Sequence, residues 1–492
     1  MSWATASAPA RAAPALPYFR TGASGELREL FVEALSLLLD RAPGGDAFVE
    51  LWRNYDCDVH CADVYETLVH FLCRVIFSQP AQPADKGRVA LSGLQLVALD
   101  QDLAGTPRPA ANAVTPRPAA GLVAAFDVVA SSLDEVEAML RLLTQRAAFL
   151  TQGGPVPQRD PKLPPADSGL LGPVVAPDSQ TITLGLGTSF FQARPELAAL
   201  QPARLQRMTR FPNDALDAEW CHGDIALQFC ANLQDSNIHA LRDIVKSMSQ
   251  YLVLRWMIEG SVPPVPPGPD GSTPSARNFL GFRDGSANPD STDAAAMARI
   301  VWTHAADEPA WTHGGSYQAV RIIRNLVERW DRTPLREQER IFGRVKDSGA
   351  PLDGGPGASE HDLPDYAADP LGERTRLDSH IRLANPRTPD SQRNLMLRRP
   401  FNYTRGALPN GQLDQGLIFI SWQADLEQGF IAVQNRLNGE PLEEYIKPIG
   451  GGYFFAPPGV AGPGDYLGSG LIKAARQAGA RPAKASIDMD GA

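Results

Sequence analysis

The sequence predicts an α+β protein in which two ferredoxin-like units follow an α-helical N-terminal appendage. Each unit is an antiparallel sheet with helices on one face. Strand and helix patterns alternate in the first half of the folded region, the alternation returns in the second half, and a helical pattern precedes both. The 492 residues are enough for two or three domains. An apolar fraction of 43% and a charged fraction of 21% are typical of globular proteins.

The first 120 residues divide into three predicted segments. Residues 1–25 are rich in Ala, Ser and Pro, which predicts disorder. Residues 26–103 are predicted to form a helical appendage, because apolar residues recur there at helical spacing. Within it, LWRNYDCDVHCADVYETLVHFL resembles the helical region that precedes the catalytic domain of large ARF-type guanine nucleotide exchange factors, but includes none of the exchange chemistry. Residues 104–120 contain Thr-Pro-Arg-Pro-Ala-Ala twice, which predicts an extended linker.

The first ferredoxin-like domain is predicted over residues 121–275. Short apolar runs predict strands at Leu122–Val129, Thr181–Leu186 and Asp224–Cys230. Ser132 and Glu135 form the pattern of a capping box. The helix that follows them has one apolar face, made of Val136, Met139, Leu140 and Leu143. A second helix, capped by Asp235, is predicted to bury Ile238, Leu241, Ile244, Val245 and Met248.

The second ferredoxin-like domain is predicted over residues 276–475, and residues 476–492 are predicted to be a frayed tail. Strands are expected at Tyr317–Val327, Leu417–Gln423 and Tyr453–Ala456. Two helices separate them. One is expected to have Thr333 as its cap and Pro334 at its first position, and the other to be capped by Asp425.

Charge and cysteine content exclude several classes of protein. A net charge of -10 does not suggest a nucleic-acid partner, and five cysteines do not make a disulfide framework. Cys57 and Cys61 lack the second cysteine pair of a typical zinc site, and Cys221 and Cys230 are expected to be buried thiols. No apolar run approaches the ~20 residues that span a bilayer.

Two stretches carry the candidate chemistry. In GFRDGSANP, residues 281–289, Asp284 lies between two glycines that allow close approach of the backbone to a flat ligand. In residues 379–405, His380 is a candidate axial ligand for haem iron, and Arg398 and Arg399 are candidate donors to propionates or peroxide. Taken singly, each has an ordinary alternative: a surface histidine, an Asp-Gly turn and a solvated arginine pair.

Both stretches belong to a series of five motifs that occur in a fixed order along the chain. GFRDGSANP, HIRLANPR, LRRPFNYTRG, GLIFISWQ and GGGYFFAPPG together resemble the dye-decolorizing peroxidase superfamily, and most closely its EfeB-type deferrochelatase/peroxidase branch, over residues 121–471. The resemblance implies a haem b peroxidase with haem bound in the second ferredoxin-like unit. It also implies hydrogen peroxide and a dye-like or small-molecule reductant as partners, haem as a further substrate, and a homodimer. The alternative is a haem carrier or scaffold without turnover.

The resemblance also assigns roles. His380 is the implied iron ligand, and its second ring nitrogen is expected to donate to Asp425, Glu443 or Glu444, among which the sequence does not decide. Asp284 is the implied proton acceptor and donor for peroxide. Arg398 is the implied stabiliser of developing charge, with Arg399 one residue away as the alternative. The implied haem-lining residues are Gly285, Ser286, Ala287, Asn385, Pro386 and Arg387.

Two questions stay open at this level. The bacterial relatives usually carry a twin-arginine export signal. Residues 1–25 show none and contain no acid, a composition shared by disordered segments and organellar transit peptides, so the compartment is not assigned. Tyr403 and Trp422 are candidate surface electron-transfer sites, but core packing is the favoured interpretation of both.

Overall fold

The computed structural model describes residues 118–266, 274–304 and 306–479. The chain divides into two compact units, Met1–Val89 and Ala90–Ala492, and all described residues belong to the second. The predicted disordered N-terminus and helical appendage therefore lie outside the described residues, as do Cys57, Cys61 and the linker up to residue 117.

The first half of the described chain carries strands β1 to β6 and helices α1 to α4. In chain order these are β1 Ala120–Val128, α1 Leu133–Gln152, β2 Gly154–Pro155, β3 Val174–Val175, β4 Thr181–Leu186, α2 Thr188–Gln192, α3 Pro195–Ala198, β5 Ile225–Ala231, α4 Gln234–Ser247 and β6 Leu252–Ser261. A 3₁₀ turn at Ala218–Trp220 precedes β5.

The second half carries strands β7 to β11 and helices α5 to α10. In chain order these are α5 Ala294–Ile300, β7 Ser316–Asn325, α6 Val327–Trp330, α7 Leu335–Phe342, α8 His380–Ala384, β8 Leu397–Arg398, β9 Phe401–Ala407, β10 Leu413–Gln423, α9 Ala432–Leu437, β11 Ile446–Ala456 and α10 Ser469–Gly479. A π-helical turn, Glu427–Ile431, leads into α9. Three short 3₁₀ turns complete this half, at Ala310–Thr312, Asp390–Asn394 and Pro441–Glu444.

The strand order repeats between the halves. The first half has the order β6-β1-β5-β4 and the second half the order β11-β7-β10-β9, so each is an antiparallel four-stranded sheet with the ferredoxin-like order 4-1-3-2. The fourth strand of each half joins the second strand of the other, at Phe455–Leu186 and at Ser261–Asn402. Pairing between β7 and β10 closes the ring. The predicted tandem ferredoxin-like fold is confirmed.

Both faces of this sheet are buried. Because side chains alternate along a strand, β1 contributes residues to two separate clusters. On β1, Leu122 and Phe126 pack in a cluster with helices α1 and α4, whereas Val123 packs in a second cluster inside the ring. Tyr403 and Trp422 belong to the inner cluster and are buried. The favoured interpretation of these two aromatics as core residues therefore agrees with the structure.

The predicted cap of helix α1 is present, and its two partners lie close together in the sequence. The Ser132 side chain accepts a hydrogen bond from the Glu135 amide, and Glu135 accepts one from the Ser132 amide, so the capping box is present. The predicted buried face of that helix is buried. Cys221 and Cys230 are both buried, as expected.

Other predicted helix ends are wrong. Helix α4 begins at Gln234, so Asp235 lies in its first turn rather than at its cap, and Val245 is exposed. The capping carboxylate comes from Asp178, which accepts from the Leu233 amide and the Ser236 hydroxyl. Helix α7 begins at Leu335 with Pro334 as its cap, one residue later than expected.

The C-terminal end differs from the prediction as well. Helix α10 continues to Gly479, so the segment predicted to be frayed from residue 476 begins inside a helix. Within the described part of the chain, no helix combines the length and hydrophobicity needed to cross a membrane.

A buried ion pair ties the loop before β5 to the sheet. The Arg321 guanidinium on β7 donates to the Asp214 carboxylate, and both side chains are 1% exposed. A second oxygen of Asp214 accepts from the Phe211 amide at 3.0 Å. Removing one partner leaves an uncompensated buried charge, which costs about 3–5 kcal/mol.

We expect Arg321→Met to lower the free energy of unfolding by that order, measured by urea denaturation of the full chain. The double variant Arg321→Met/Asp214→Leu should recover most of the loss, because it removes both charges. Asp390→Ala breaks the exposed pair with Arg393 and is the matched control, with little expected effect. Equal losses in the single and double variants would show that packing, not charge, is responsible.

Candidate active site

Helix α8 presents His380 as its first residue, and three contacts fix its position. The buried Ser379 is its N-cap residue, and its hydroxyl donates to the Arg376 carbonyl at 2.9 Å. At the other end, the Arg436 guanidinium donates to the carbonyls of Leu383 and Ala384 at 3.0 and 2.8 Å. A cation there satisfies the last carbonyls of the helix and complements its dipole. The backbone that carries the His380 imidazole is therefore held at both ends of helix α8.

A carboxylate holds the imidazole ring of His380. Nδ1 lies 2.7 Å from Oε2 of Glu440, whose side chain is 3% exposed, whereas the imidazole is 30% exposed. Because a carboxylate only accepts, Nδ1 carries the proton and Nε2 keeps a free lone pair. Burial alone lowers the pKa of His380, but the charge of Glu440 and its hydrogen bond outweigh burial, so that the pKa is raised.

Glu440 was not among the three acids that the sequence offered as partners, so that prediction is wrong. Asp425 accepts from the amides of Glu427 and Gln428 at the start of the π-helical turn before α9, and Glu443 accepts from the Gly439 amide. Glu440 follows Gly439, whose φ of 82° turns the chain back after α9. That glycine turn is the one local signal that could have indicated it.

An acid and a guanidinium form the second part of the site. Arg398 Nη1 on β8 lies 3.9 Å from Oδ1 of Asp284, and Arg398 Nη2 donates to the Ser286 carbonyl at 2.9 Å. The Asp284 and Arg398 side chains are 17% and 30% exposed. Arg399 is buried and its amide donates to the Ile420 carbonyl on β10. Arg398 thus places a guanidinium next to Asp284.

An aromatic cluster links these two parts. Phe282, two residues before Asp284, stacks on Phe342 with ring centroids 4.0 Å apart and planes 7° from parallel. The Phe342 ring lies 5.7 Å from the His380 ring. The charges of Arg398 and Asp284 both act on the pKa of His380. Imidazole, carboxylate and guanidinium thus lie in one region of the fold.

The glycine-rich stretch packs closely against neighbouring side chains. A Cβ on Gly285 would meet the Ser275 side chain at 2.5 Å, so this glycine is required by packing against Ser275. The Ser286 hydroxyl donates to Glu360 at 3.2 Å, and its carbonyl accepts from Arg398. Ala287 is exposed and has a φ of 57°.

The Asn385-Pro386-Arg387 stretch forms a tight turn. The Asn385 side-chain oxygen accepts from the Arg387 amide at 3.0 Å and from the Ser391 hydroxyl at 2.9 Å. Arg387 has a φ of 57°, a conformation that non-glycine residues rarely adopt. Its buried Nε has no hydrogen-bond partner in the protein. A buried cationic donor of this kind is suited to an anionic group of a ligand.

Glu360 is a residue that sequence reasoning missed. It is buried and accepts from the Ser275 amide at 2.7 Å and from the hydroxyls of Ser275 and Ser286. Burial alone raises the pKa of Glu360, but the hydrogen bonds from Ser275 and Ser286 outweigh it and the pKa is lowered. Glu360 lies 74 residues from Ser286, so no local pattern indicates this contact.

These observations fit an iron porphyrin with carboxylate side groups. The imidazole offers one free nitrogen for iron, backed by a carboxylate that strengthens it as a donor. The Arg387 nitrogen offers a donor to a propionate. The Asp284–Arg398 pair offers proton transfer and charge stabilisation.

Comparison with known proteins also indicates a protein that binds haem. Family models for the N-terminal and C-terminal parts of Dyp-type peroxidases match residues 111–261 and 275–461. Fold and site together define a haem-dependent peroxidase. The chain belongs to the Dyp-type peroxidase family, and it is a haem-binding oxidoreductase. The resemblance of residues 26–103 to exchange factors receives no support from these matches.

Several relatives carry the name deferrochelatase. The protein from Escherichia coli strain K12 is 57% identical over 366 residues, which cover 74% of this chain and 85% of the relative. The protein from Escherichia coli O157:H7 is 54% identical over 399 residues, which cover 80% of this chain and 93% of the relative.

Solved structures show the same fold. Ferric DtpA from Streptomyces lividans is 32% identical with a TM-score of 0.67, and the match covers 80% of this chain and 100% of that one. A DyP-type peroxidase from Cellulomonas bogoriensis is 32% identical with a TM-score of 0.65, covering 75% and 97%.

We expect Glu440→Gln to weaken the affinity for haem by about 10- to 100-fold, the usual cost of losing a group that supports a metal ligand. Titration of the full chain with haemin measures it. Glu443→Gln is the matched control and should bind haem normally, because Glu443 contacts Gly439 rather than His380. His380→Ala removes the candidate ligand and sets the lower limit of the affinity. Normal affinity in Glu440→Gln would mean that the carboxylate does not support the ligand.

Proposed function

We propose that this chain reduces hydrogen peroxide with His380 as the iron ligand, Asp284 as the proton-transfer group and Arg398 as the stabiliser of negative charge. The observation that carries the proposal is the grouping of a carboxylate-backed imidazole with an acid–guanidinium pair in one region. Haem, when bound, supplies the iron at which peroxide is reduced.

His380 and Glu440 act together in this proposal. The hydrogen bond from Nδ1 fixes the tautomer, directs Nε2 away from Glu440 and increases the basicity of the ring. The anchoring of helix α8 by Arg436 limits rotation of the backbone that carries the ligand. The proposed ligand is thus oriented before the cofactor arrives.

Asp284 removes a proton from one oxygen of hydrogen peroxide and delivers it to the other oxygen, which leaves as water. The step needs the ionised carboxylate, and the Arg398 guanidinium 3.9 Å away favours that form. The same guanidinium stabilises negative charge as the O–O bond breaks. The partial exposure of both side chains gives a small molecule access to them.

Arg387 is the proposed donor to a haem propionate, and its unpartnered buried Nε supports this role. The Asn385 side chain holds the turn that contains Pro386 and presents Arg387. Gly285, Ser286 and Ala287 are proposed to border the cofactor through their backbone, with Ser286 also supporting Arg398. A homodimer and a dye-like or small-molecule reductant stay predictions of the sequence.

A second activity is proposed from the relatives that are named deferrochelatase. Releasing iron while leaving the tetrapyrrole intact replaces the metal with two protons on the ring nitrogens. It therefore requires a positioned proton donor rather than peroxide. Asp284, whose charge acts on the pKa of His380, is the proposed donor once solvent has protonated it.

We expect Asp284→Asn to bind haem with an unchanged Soret band but to react with peroxide about 10²- to 10⁴-fold more slowly, the usual range for a general acid–base group. Stopped-flow mixing with peroxide measures the rate constant. Asp347→Asn, which changes an exposed acid beside Arg277, is the matched control. A near-normal rate in Asp284→Asn would assign the proton step to Arg398 alone.

Iron release is tested by incubating the chain with haem and a ferrous or ferric chelator without peroxide. We expect free iron and protoporphyrin to appear in equal amounts, and Asp284→Asn to slow both. Loss of the porphyrin spectrum together with iron would show ring oxidation instead, and would reject deferrochelatase activity.

A further inference from the structure

Arg398 lies on the outer edge of the sheet, and Asn288 hydrogen-bonds its exposed main-chain groups. Strand β8 is two residues long and pairs with β10 on one side, where the Arg399 amide donates to Ile420. On the other side, the Asn288 side-chain oxygen accepts from the Arg398 amide at 2.9 Å. The Asn288 side-chain nitrogen donates to the Arg398 carbonyl at 3.0 Å. One carboxamide thus replaces a neighbouring strand at this residue.

A tight turn brings Asn288 to this position. The Asn288 amide donates to the Gly285 carbonyl at 3.1 Å, and Ala287 between them has a φ of 57°. A non-glycine residue rarely adopts this conformation, and it costs free energy that contacts elsewhere must offset. The double hydrogen bond to Arg398 is a contact of that kind.

The segment therefore holds Arg398 at both of its ends. Asn288 fixes the main chain, and the Ser286 carbonyl accepts from the guanidinium at 2.9 Å. Asp284 lies in the same segment, four residues before Asn288. The separation of Asp284 and Arg398 is consequently set within one short piece of chain, not by the distant packing of the two sheets.

We propose that Asn288 is a positioning residue for peroxide reduction, which it serves by fixing the Arg398 backbone and so the guanidinium beside Asp284. The inference rests on the proposed function of Arg398. Displacing a catalytic group by about 1 Å costs as much as about 100-fold in rate. Asn288→Ala should therefore slow the reaction with peroxide by about 10- to 100-fold and leave haem affinity unchanged.

The test is a double-mutant cycle in the haem-loaded full chain, with the rate constant for peroxide measured in Asn288→Ala, Arg398→Leu and the double variant. If Asn288 acts through Arg398, its loss has little further effect in the Arg398→Leu background. Hydrogen–deuterium exchange of residues 396–401 is the second measurement. It should become faster in Asn288→Ala, because the Arg398 amide loses its acceptor.

Asn213→Ala is the matched control. This buried asparagine also bonds the end of a strand, through the Ile446 carbonyl and the Lys447 ammonium, but it lies outside the site. It should lower stability without changing the rate. The inference would be overturned if Asn288→Ala slowed the reaction equally in the natural chain and in Arg398→Leu. It would also be overturned by an unchanged rate in Asn288→Ala, or by a parallel loss of haem affinity. A normal rate in Arg398→Leu alone would instead overturn the proposed function of Arg398, and the inference with it.

Discussion

The stack of Phe282 on Phe342 is the contact on which the geometry of the site depends. Phe282 belongs to the segment that carries Asp284, and Phe342 ends helix α7 beside the His380 ring. Trp330 packs edge-on against both rings, and its indole nitrogen donates to the Leu280 carbonyl. Offset and edge-on aromatic pairs are directional, so the cluster fixes orientation as well as distance. The segment before Asp284 and the helix of the proposed iron ligand therefore share one rigid support.

The closed sheet determines which strand edges are left unpaired. Its two halves repeat the same strand order and join through equivalent strands, so the ring has no long free edge among the strands described. The short strand β8 is the exception, since it ends the strand order and carries Arg398. A functional residue at an edge can face a ligand, but its backbone needs partners from elsewhere. Asn288 supplies them, which connects the fold directly to the proposed chemistry.

The sequence predicts the fold and the motifs well because both depend on local patterns. Alternating strand and helix signals indicate the repeated units, and the capping box of Ser132 and Glu135 needs two residues three positions apart. The supporting contacts could not be predicted in the same way. Glu440 is 60 residues from His380, and Asn288 is 110 residues from Arg398. Such pairs form only when the chain has folded, and an acidic or amide residue in a loop has many local alternatives.

One site can serve both proposed reactions because both depend on proton transfer beside the same cofactor. In the proposed peroxide reduction, Asp284 takes up a proton and returns it, so the step leaves the carboxylate as it began. Iron release consumes two protons for each tetrapyrrole, so the carboxylate must be protonated again from solvent. Its 17% exposure allows that exchange. We expect Glu440 to oppose iron release, because its hydrogen bond makes His380 a stronger donor to iron. We therefore expect the strength of this one hydrogen bond to bias the site between the two proposed activities.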